Sequence, residues 1–268
     1  MDHKNKFSYK PYEIIEKTEL APETFLFKLK GKFKFNPGQF VQVSVPRFGE
    51  ATFAPCSDTE NTDSFELCIR AAGSTTDQMV QKLVGDELLV RGPYGNGWPV
   101  GKLVEKDILI IAGGIGLVPM RALMHQILKY RSEFRKVYLV CGFKSDQHII
   151  FEEDLKAWQK KITGLEVCVE HAGRDFWGHH GLVTEPLKKI KFNPKKLKVL
   201  ICGPEVMTGF CLEELLGKGV KEENIYISYE RRMECGIGVC QHCNIGKYLV
   251  CKDGPVFSWD KIKDELTK

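Results

Sequence analysis

Five short apolar runs after about Lys106 leave little freedom over how the chain folds. Asp107–Ala112, Val137–Cys141, Leu165–Glu170, Lys198–Cys202 and Ile225–Ser228 are each four to six residues long and largely apolar. Helical stretches fall between them, as in Val118–Tyr130, where Leu123, Ile127 and Leu128 share a face. Strands without polar alternation are buried on both sides, and strands separated by helices pair in parallel. The residues before about Lys106 read differently. Thr24–Lys30 places Phe25, Phe27 and Leu29 on one side, and Gly38–Val45, Ser64–Arg70 and Asp86–Gly92 repeat the period of two of half-buried strands. Turn signals at Asn36–Gly38 and Gly92–Gly97 separate them, with one helix expected over Thr76–Val84. The pattern predicts a β barrel domain followed by an α/β doubly wound parallel-sheet domain, with a C-terminal cysteine-rich appendage. The boundaries expected are 1–104, 105–228 and 229–268.

A chain of 268 residues is long enough for two cores. Its net charge of +4 comes from lysines scattered without a basic block, so nucleic acid is not an expected partner. No stretch approaches the ~20 apolar residues of a membrane span. The N-terminal "MDHKNKFSYK" lacks the apolar centre of a signal peptide, which points to a cytoplasmic location. In that reducing compartment ten cysteines are not expected to form structural disulfides. Cys56, Cys68, Cys141, Cys168, Cys202 and Cys211 are scattered, several within apolar runs, and read as small buried hydrophobes.

The other four need a different account. Cys235-x4-Cys240-x2-Cys243-x7-Cys251 has the C-x4-C-x2-C spacing with a later fourth cysteine that marks a plant-type [2Fe–2S] ligand loop. Gly236 and Gly238 suit a loop that turns tightly around a cluster. A structural zinc site is the alternative, though zinc usually takes two short C-x2-4-C knuckles and only one C-x-x-C is present. His242, between two of the cysteines, reads as a solvated side chain because four thiolates already complete a site.

Gly113, Gly114 and Gly116 lie between a buried strand and a helix, with Pro119 where a first helical turn tolerates proline. Cys202–Met207 ends another strand of the same sheet and opens another helix. Ligands of open α/β sheets bind beyond the carboxyl ends of strands, so two such loops make a nicotinamide-nucleotide crevice or, more plainly, two tight turns. After the second strand, Lys144 could meet a 2′-phosphate and Asp146 a ribose hydroxyl, or the two are opposite charges of an exposed loop. In the first domain Gly49–Asp58 reads as a loop. Gly73, Thr75 and Thr76 precede the short helix, either as an anion cradle or as a capped helix after a turn.

In this order, and over essentially the whole chain, the barrel, the G-G-x-G-x-x-P loop, the CGP loop and the cysteine run resemble the ferredoxin-reductase-like electron-transfer subunits. That family includes the gamma subunit of sulfhydrogenases and the corresponding electron-transfer subunits of anaerobic sulfite reductase and of dihydroorotate dehydrogenase. "GEA" at Gly49, "GPYGNGWPV" at Gly92, "YERRM" at Tyr229 and "CKDGPVF" at Cys251 are similar to segments of its members. The resemblance implies FAD beside Ala51–Ala54, with Phe53 and Ala54 facing the flavin and Arg70, Thr75 and Thr76 toward its ribityl chain and pyrophosphate. It implies a nicotinamide nucleotide at Gly113, Gly114 and Gly116, with Cys202, Gly203, Pro204 and Glu205 near the nicotinamide. Cys235, Cys240, Cys243 and Cys251 would ligate the cluster. Many family members carry arginine where Ala51 stands and serine where Ala54 stands, and Ser57 or Cys56 could replace the lost hydroxyl. The implied function is an NAD(P)H-dependent flavin and iron–sulfur oxidoreductase subunit. It would pass electrons between NAD(P)H, FAD and the [2Fe–2S] cluster, to or from a catalytic partner subunit that is itself an iron–sulfur protein. A wiring subunit that keeps the cluster without functional flavin is the alternative.

Overall fold

The computed structural model describes residues 7–61 and 63–266, which fall into two compact units. Among the described residues, those from Phe7 to Trp98 form the first together with Tyr229–Val256, and Pro99–Ser228 form the second with Phe257 to Leu266. In the first unit, β1 (Lys10–Ala21), β2 (Thr24–Lys30), β3 (Phe40–Val45), β4 (Gly49–Phe53), β5 (Ser64–Arg70), α1 (Ser74–Val80) and β6 (Glu87–Tyr94) follow one another. Six strands pair antiparallel in the order β4-β3-β6-β1-β2-β5. A bridge from Pro55, just past β4, to Leu67 of β5 brings the two ends of the row together, as a barrel requires. The interior is filled by Ile14, Phe27, Leu29, Val41, Val43, Phe65, Leu67, Ile69, Leu88 and Val90, all essentially inaccessible to solvent.

Three elements differ from the sequence expectation. Strand β1 has few apolar positions, and is held by pairing with β2 on one side and β6 on the other. The first five residues of the expected Gly49–Asp58 loop form the edge strand β4, which takes its hydrogen bonds from β3. Helix α1 begins two residues earlier than expected and ends four earlier. Its continuation is replaced by a turn in which Leu83 N–H donates to Asp86 Oδ2 at 2.9 Å and Gly85 takes a φ of 95°.

The second unit contains β7 (Asp107–Gly113), α2 (Val118–Lys129), β8 (Val137–Ser145), α3 (Glu152–Gln159), β9 (Gly164–His171), β10 (His179–His180), α4 (Thr184–Lys189), β11 (Leu197–Cys202), α5 (Glu205–Gly217) and β12 (Ile225–Ser228). Every pair in the row β10-β9-β8-β7-β11-β12 is parallel, as the apolar runs demand. β8 runs four residues past its apolar stretch because Ser145 still pairs with His171, so Lys144 belongs to the strand and not to a following loop. Leu123 and Ile127 of α2 are fully buried and Leu128 only partly. The C-terminal part has the hairpin β13 (Asn244–Ile245) and β14 (Tyr248–Leu249), then α6 (Val250–Asp253), β15 (Val256–Ser258) and α7 (Trp259–Ile262). Among the described residues no helix is long and apolar enough to cross a membrane.

Candidate functional site

The cysteine run folds as a loop that aims backbone N–H groups at sulfur. Gly236 and Gly238 take φ values of 74° and 81°, in the left-handed region that glycine enters without strain. The turns they permit point Val239 N–H at Cys235 Sγ (3.2 Å), Cys240 N–H at the same atom (3.4 Å) and Gly238 N–H at Cys251 Sγ (3.0 Å). Cys251 N–H reaches Cys243 Sγ at 3.4 Å from the start of α6. Burial raises the Cys235 thiol, but the N–H groups of Cys240, Ile237 and Val239 and the Cys240 thiol outweigh it and bring Cys235 down to about 6. Cys251 is pushed up to about 12 by burial first, then by the thiol and charge of Cys243.

The Cys235 and Cys240 thiols are within hydrogen-bonding reach of each other, as are those of Cys243 and Cys251, and Cys251 also feels the charge of Cys235. A single tetrahedral zinc would need all four sulfurs about 3.8 Å apart, given Zn–S bonds of ~2.3 Å. Among the described residues no three of these sulfurs lie within 4.8 Å of one another; the group that does converge is Glu234, Cys240 and His242. In it, His242 Nδ1 lies 2.7 Å from Glu234 Oε2, an exposed pairing outside the four thiols. Two pairs of thiols suit two metal ions, each ligated by two cysteines.

Side chains of the barrel hold this loop from below. Thr52, Gln42 and Arg91 stand opposite one another across β4, β3 and β6, so their side chains share one face. Gln42 Nε2 donates to Met233 O (3.1 Å), Arg91 Nη2 to Glu234 O (2.9 Å) and Arg91 Nη1 to Cys235 O (2.6 Å). Arg91 is also paired with Glu50 at 3.0 Å, and its side chain is only 3% exposed. Asn96 clamps the far side: its N–H donates to Gly254 O (2.7 Å), its Nδ2 to Val256 O (2.8 Å), and its Oδ1 accepts from Val256 N–H (3.2 Å). A cavity of about 620 Å³ opens beside the loop, lined by Lys10, Tyr94, Gly236, Ile237, Cys251 and Lys252 among others. Gln42, Glu50, Arg91 and Asn96 were not singled out in the sequence. The available signal was a polar or charged residue interrupting an apolar strand, as Gln42 does in "FVQVSV" and Arg91 in "ELLVRGPY".

The flavin residues expected from the sequence are only partly brought together. Phe53, Ala51 and Ala54 are half-buried on and just past β4. Ser57 is buried against β5, where its Oγ accepts from Glu66 N–H at 3.2 Å, and Cys56 is packed on the same strand. Both are buried against Glu66 of β5 and not left open to a ligand. The Arg70 side chain, exposed at the end of β5, has no hydrogen bond or ion pair among the described residues. Gly73 has open space where a side chain would stand. The Thr75 hydroxyl donates to Phe48 O (2.6 Å) and that of Thr76 to Gly73 O (2.9 Å), so both are committed to backbone. An exposed guanidinium three residues before an open glycine turn suits an anion such as a pyrophosphate; the two hydroxyls do not add to it.

In the second unit the glycine loops pack on each other. A Cβ on Gly116 would run into Cys202 O, one on Gly113 would stand 2.6 Å from Met207 Sδ, and one on Gly203 2.6 Å from Met207 Cε. Gly114, at a φ of 52°, has open space instead. Most of these glycines therefore let β7 and β11 end in close contact, and Gly114 is the one with open space where a side chain would stand. The contact borders a cavity of about 380 Å³ lined by Gly113, Gly114, Phe143, Lys144, Glu170, Val183, Pro204, Met207 and Phe210 among others. Gly116, Cys202, Gly203 and Glu205 do not line it: Cys202 is buried in the sheet and Glu205 is exposed at the start of α5. The predominantly apolar lining fits a flat aromatic ring, and Lys144 offers a cation.

Residues 11–98 match the oxidoreductase FAD-binding domain, 110–213 the oxidoreductase NAD-binding domain, and 230–263 the iron–sulfur cluster binding domain of dihydroorotate dehydrogenase B. Sulfhydrogenase 1 subunit gamma of Pyrococcus furiosus is 37% identical over 263 residues, covering 93% of this chain and 88% of its own length. The chain belongs to the ferredoxin-reductase-like electron-transfer subunits. A second member of this family, the probable dihydroorotate dehydrogenase B (NAD(+)) electron transfer subunit of the same organism, is 34% identical over 247 residues, with 91% and 88% covered. The solved NADH-dependent reduced ferredoxin-NADP oxidoreductase shares the fold of the electron-transfer subunits, with a TM-score of 0.75 at 23% identity over 96% of this chain and 92% of that one.

Proposed function

We propose that this electron-transfer subunit passes electrons between NAD(P)H, FAD and a [2Fe–2S] cluster, to or from a catalytic iron–sulfur partner of hydrogenase or anaerobic sulfite reductase type. The observation that carries this reading is a single loop that holds all four cysteines at [2Fe–2S] spacing and aims its backbone N–H groups at their sulfurs. Cys235, Cys240, Cys243 and Cys251 would hold it, with the N–H groups of Gly238, Val239 and Cys240 stabilising their sulfurs. Arg70 and the open turn at Gly73 would hold the FAD pyrophosphate, and Phe53 would lie against the ring. Gly114, Phe143, Lys144 and Pro204 would receive the nicotinamide nucleotide. When bound, a flavin supplies the exchange between the paired electrons of a nicotinamide and the single electrons of an iron–sulfur centre. No side chain has to move a proton at a reacting atom, so the protein's part is to place and insulate the groups. The cavity beside Cys251 leaves one side of the cluster loop open to a partner, in keeping with electrons leaving or arriving there.

Anaerobic titration with NADH and with NADPH tests this. One nucleotide should bleach both the flavin and the cluster absorbance and so name the donor; bleaching by neither would contradict the reading. A second reading is favoured by Ala51 and Ala54, which offer a flavin no polar side-chain group, and by the burial of Ser57. In it the chain only wires electrons through the cluster. Failure of added FAD to bind the purified chain would establish that reading.

A further inference from the structure

Arg91 is the one basic side chain of β6, and it is buried. A guanidinium presents five N–H donors in a planar fork. Here Nε meets Tyr9 Oη at 2.9 Å, Nη2 is shared between Glu50 and Glu234 O, and Nη1 reaches Cys235 O at 2.6 Å. The same Nη1 lies 3.5 Å from where a Cβ on Gly236 would stand. One cation thus holds two consecutive carbonyls at the start of the ligand loop. Holding a carbonyl needs no charge: Gln42, opposite Arg91 in the sheet, holds Met233 O with a neutral amide. A buried charge costs several kcal/mol in lost hydration, which its neutral neighbour avoids. A charge bonded to the carbonyls of Glu234 and Cys235 acts on that stretch of the ligand loop through a medium less polarisable than water, which a neutral amide does not.

We infer that Arg91 is a positioning residue for the metal centre of Cys235. It fixes the backbone of the first ligand and supplies positive charge that favours the reduced state, and Glu50 sets how much of that charge is felt. The inference rests on the iron–sulfur reading of the four cysteines. Reduction of such a centre adds one electron and one negative charge, with no bond made or broken. A fixed cation beside it raises the reduction potential and a fixed anion lowers it.

The test is the midpoint potential of the cluster in the full-length chain, from an anaerobic redox titration followed by electron paramagnetic resonance. Iron release to a chelator is measured on the same samples. Arg91→Met should lower the potential and speed iron release roughly tenfold or more, the loss of a charge-assisted hydrogen bond. Glu50→Gln, which touches no ligand carbonyl, should raise the potential and leave iron release unchanged. Arg91→Lys should keep the potential near that of the unmodified chain. If Arg91→Met fails to hold iron, the Glu50→Gln potential still decides. A Glu50→Gln potential equal to that of the unmodified chain would overturn the inference and leave Arg91 a structural peg. An unmodified chain with no iron or sulfide would instead overturn the iron–sulfur reading on which it rests.

Discussion

The cysteine loop and the nucleotide crevice are built by opposite means. The loop is fastened by directional polar contacts, with Arg91, Gln42 and Asn96 each bonded to named carbonyls of the segment from Met233 to Val256. The crevice is shaped by backbone packing, glycine against carbonyl and methionine, and its rim is apolar and open: Val206 is 73% exposed and Phe210 58%. Fastening fixes a group that stays; an open apolar rim admits a ligand that comes and goes. The same difference appears in the strands beneath. Gln42 and Arg91 face the loop as polar residues within a sheet, whereas β7 is buried from end to end and contributes only its terminal glycine to the crevice.

The largest expected effect lies at the loop. Cys240→Ser or Cys251→Ser should abolish normal cluster assembly, read as the loss of most bound iron and sulfide, while the parallel sheet keeps its melting behaviour. A chain that retains full iron content in both variants would break the comparison. At the crevice, Gly116→Ala should cost about 1–3 kcal/mol by overpacking against Cys202 O, measured by denaturant unfolding. It should leave iron content unchanged. A smaller effect is expected at Arg70: Arg70→Ala should weaken FAD about tenfold by removing one charge-assisted contact, read by fluorescence titration. Unaltered affinity would place the pyrophosphate elsewhere.

How much of this could be read in the sequence follows from which forces act locally. The apolar runs forecast the parallel sheet because burial on both faces leaves no room for polar alternation. The cysteine spacing forecast a metal loop because ligand distances are set by chain reach. Strand β4 could not be foreseen, since an edge strand of Gly49–Phe53 takes its hydrogen bonds from β3 and carries no alternation of its own. Arg91 was illegible for a related reason. Its partners Glu50, Glu234 and Cys235 lie up to 144 positions away and meet only in the folded unit. Gly113, Gly116 and Gly203 stood out in the sequence as nucleotide-loop glycines, whereas most of their need for glycine in the structure comes from the neighbouring loop. The scattered cysteines behave as their sequence setting implied: all six are buried.

The smallest effect concerns those thiols. Burial pushes Cys168 and Cys211 up to about 12 and raises Cys141 well above its ordinary value. Thiolate is the reactive form, so alkylation of the native protein at neutral pH should leave all three unmodified, as peptide mass mapping would show. Their modification before unfolding would mean that the sheet opens far more readily than its packing implies.

The four clustered cysteines are expected to hold two irons. The most direct test is metal and sulfide analysis of the anaerobically purified chain, with electron paramagnetic resonance after reduction. About two irons and two sulfides per chain with the spectrum of a single unpaired spin are expected for a two-iron cluster. One zinc per chain, with no sulfide and no signal, would contradict it.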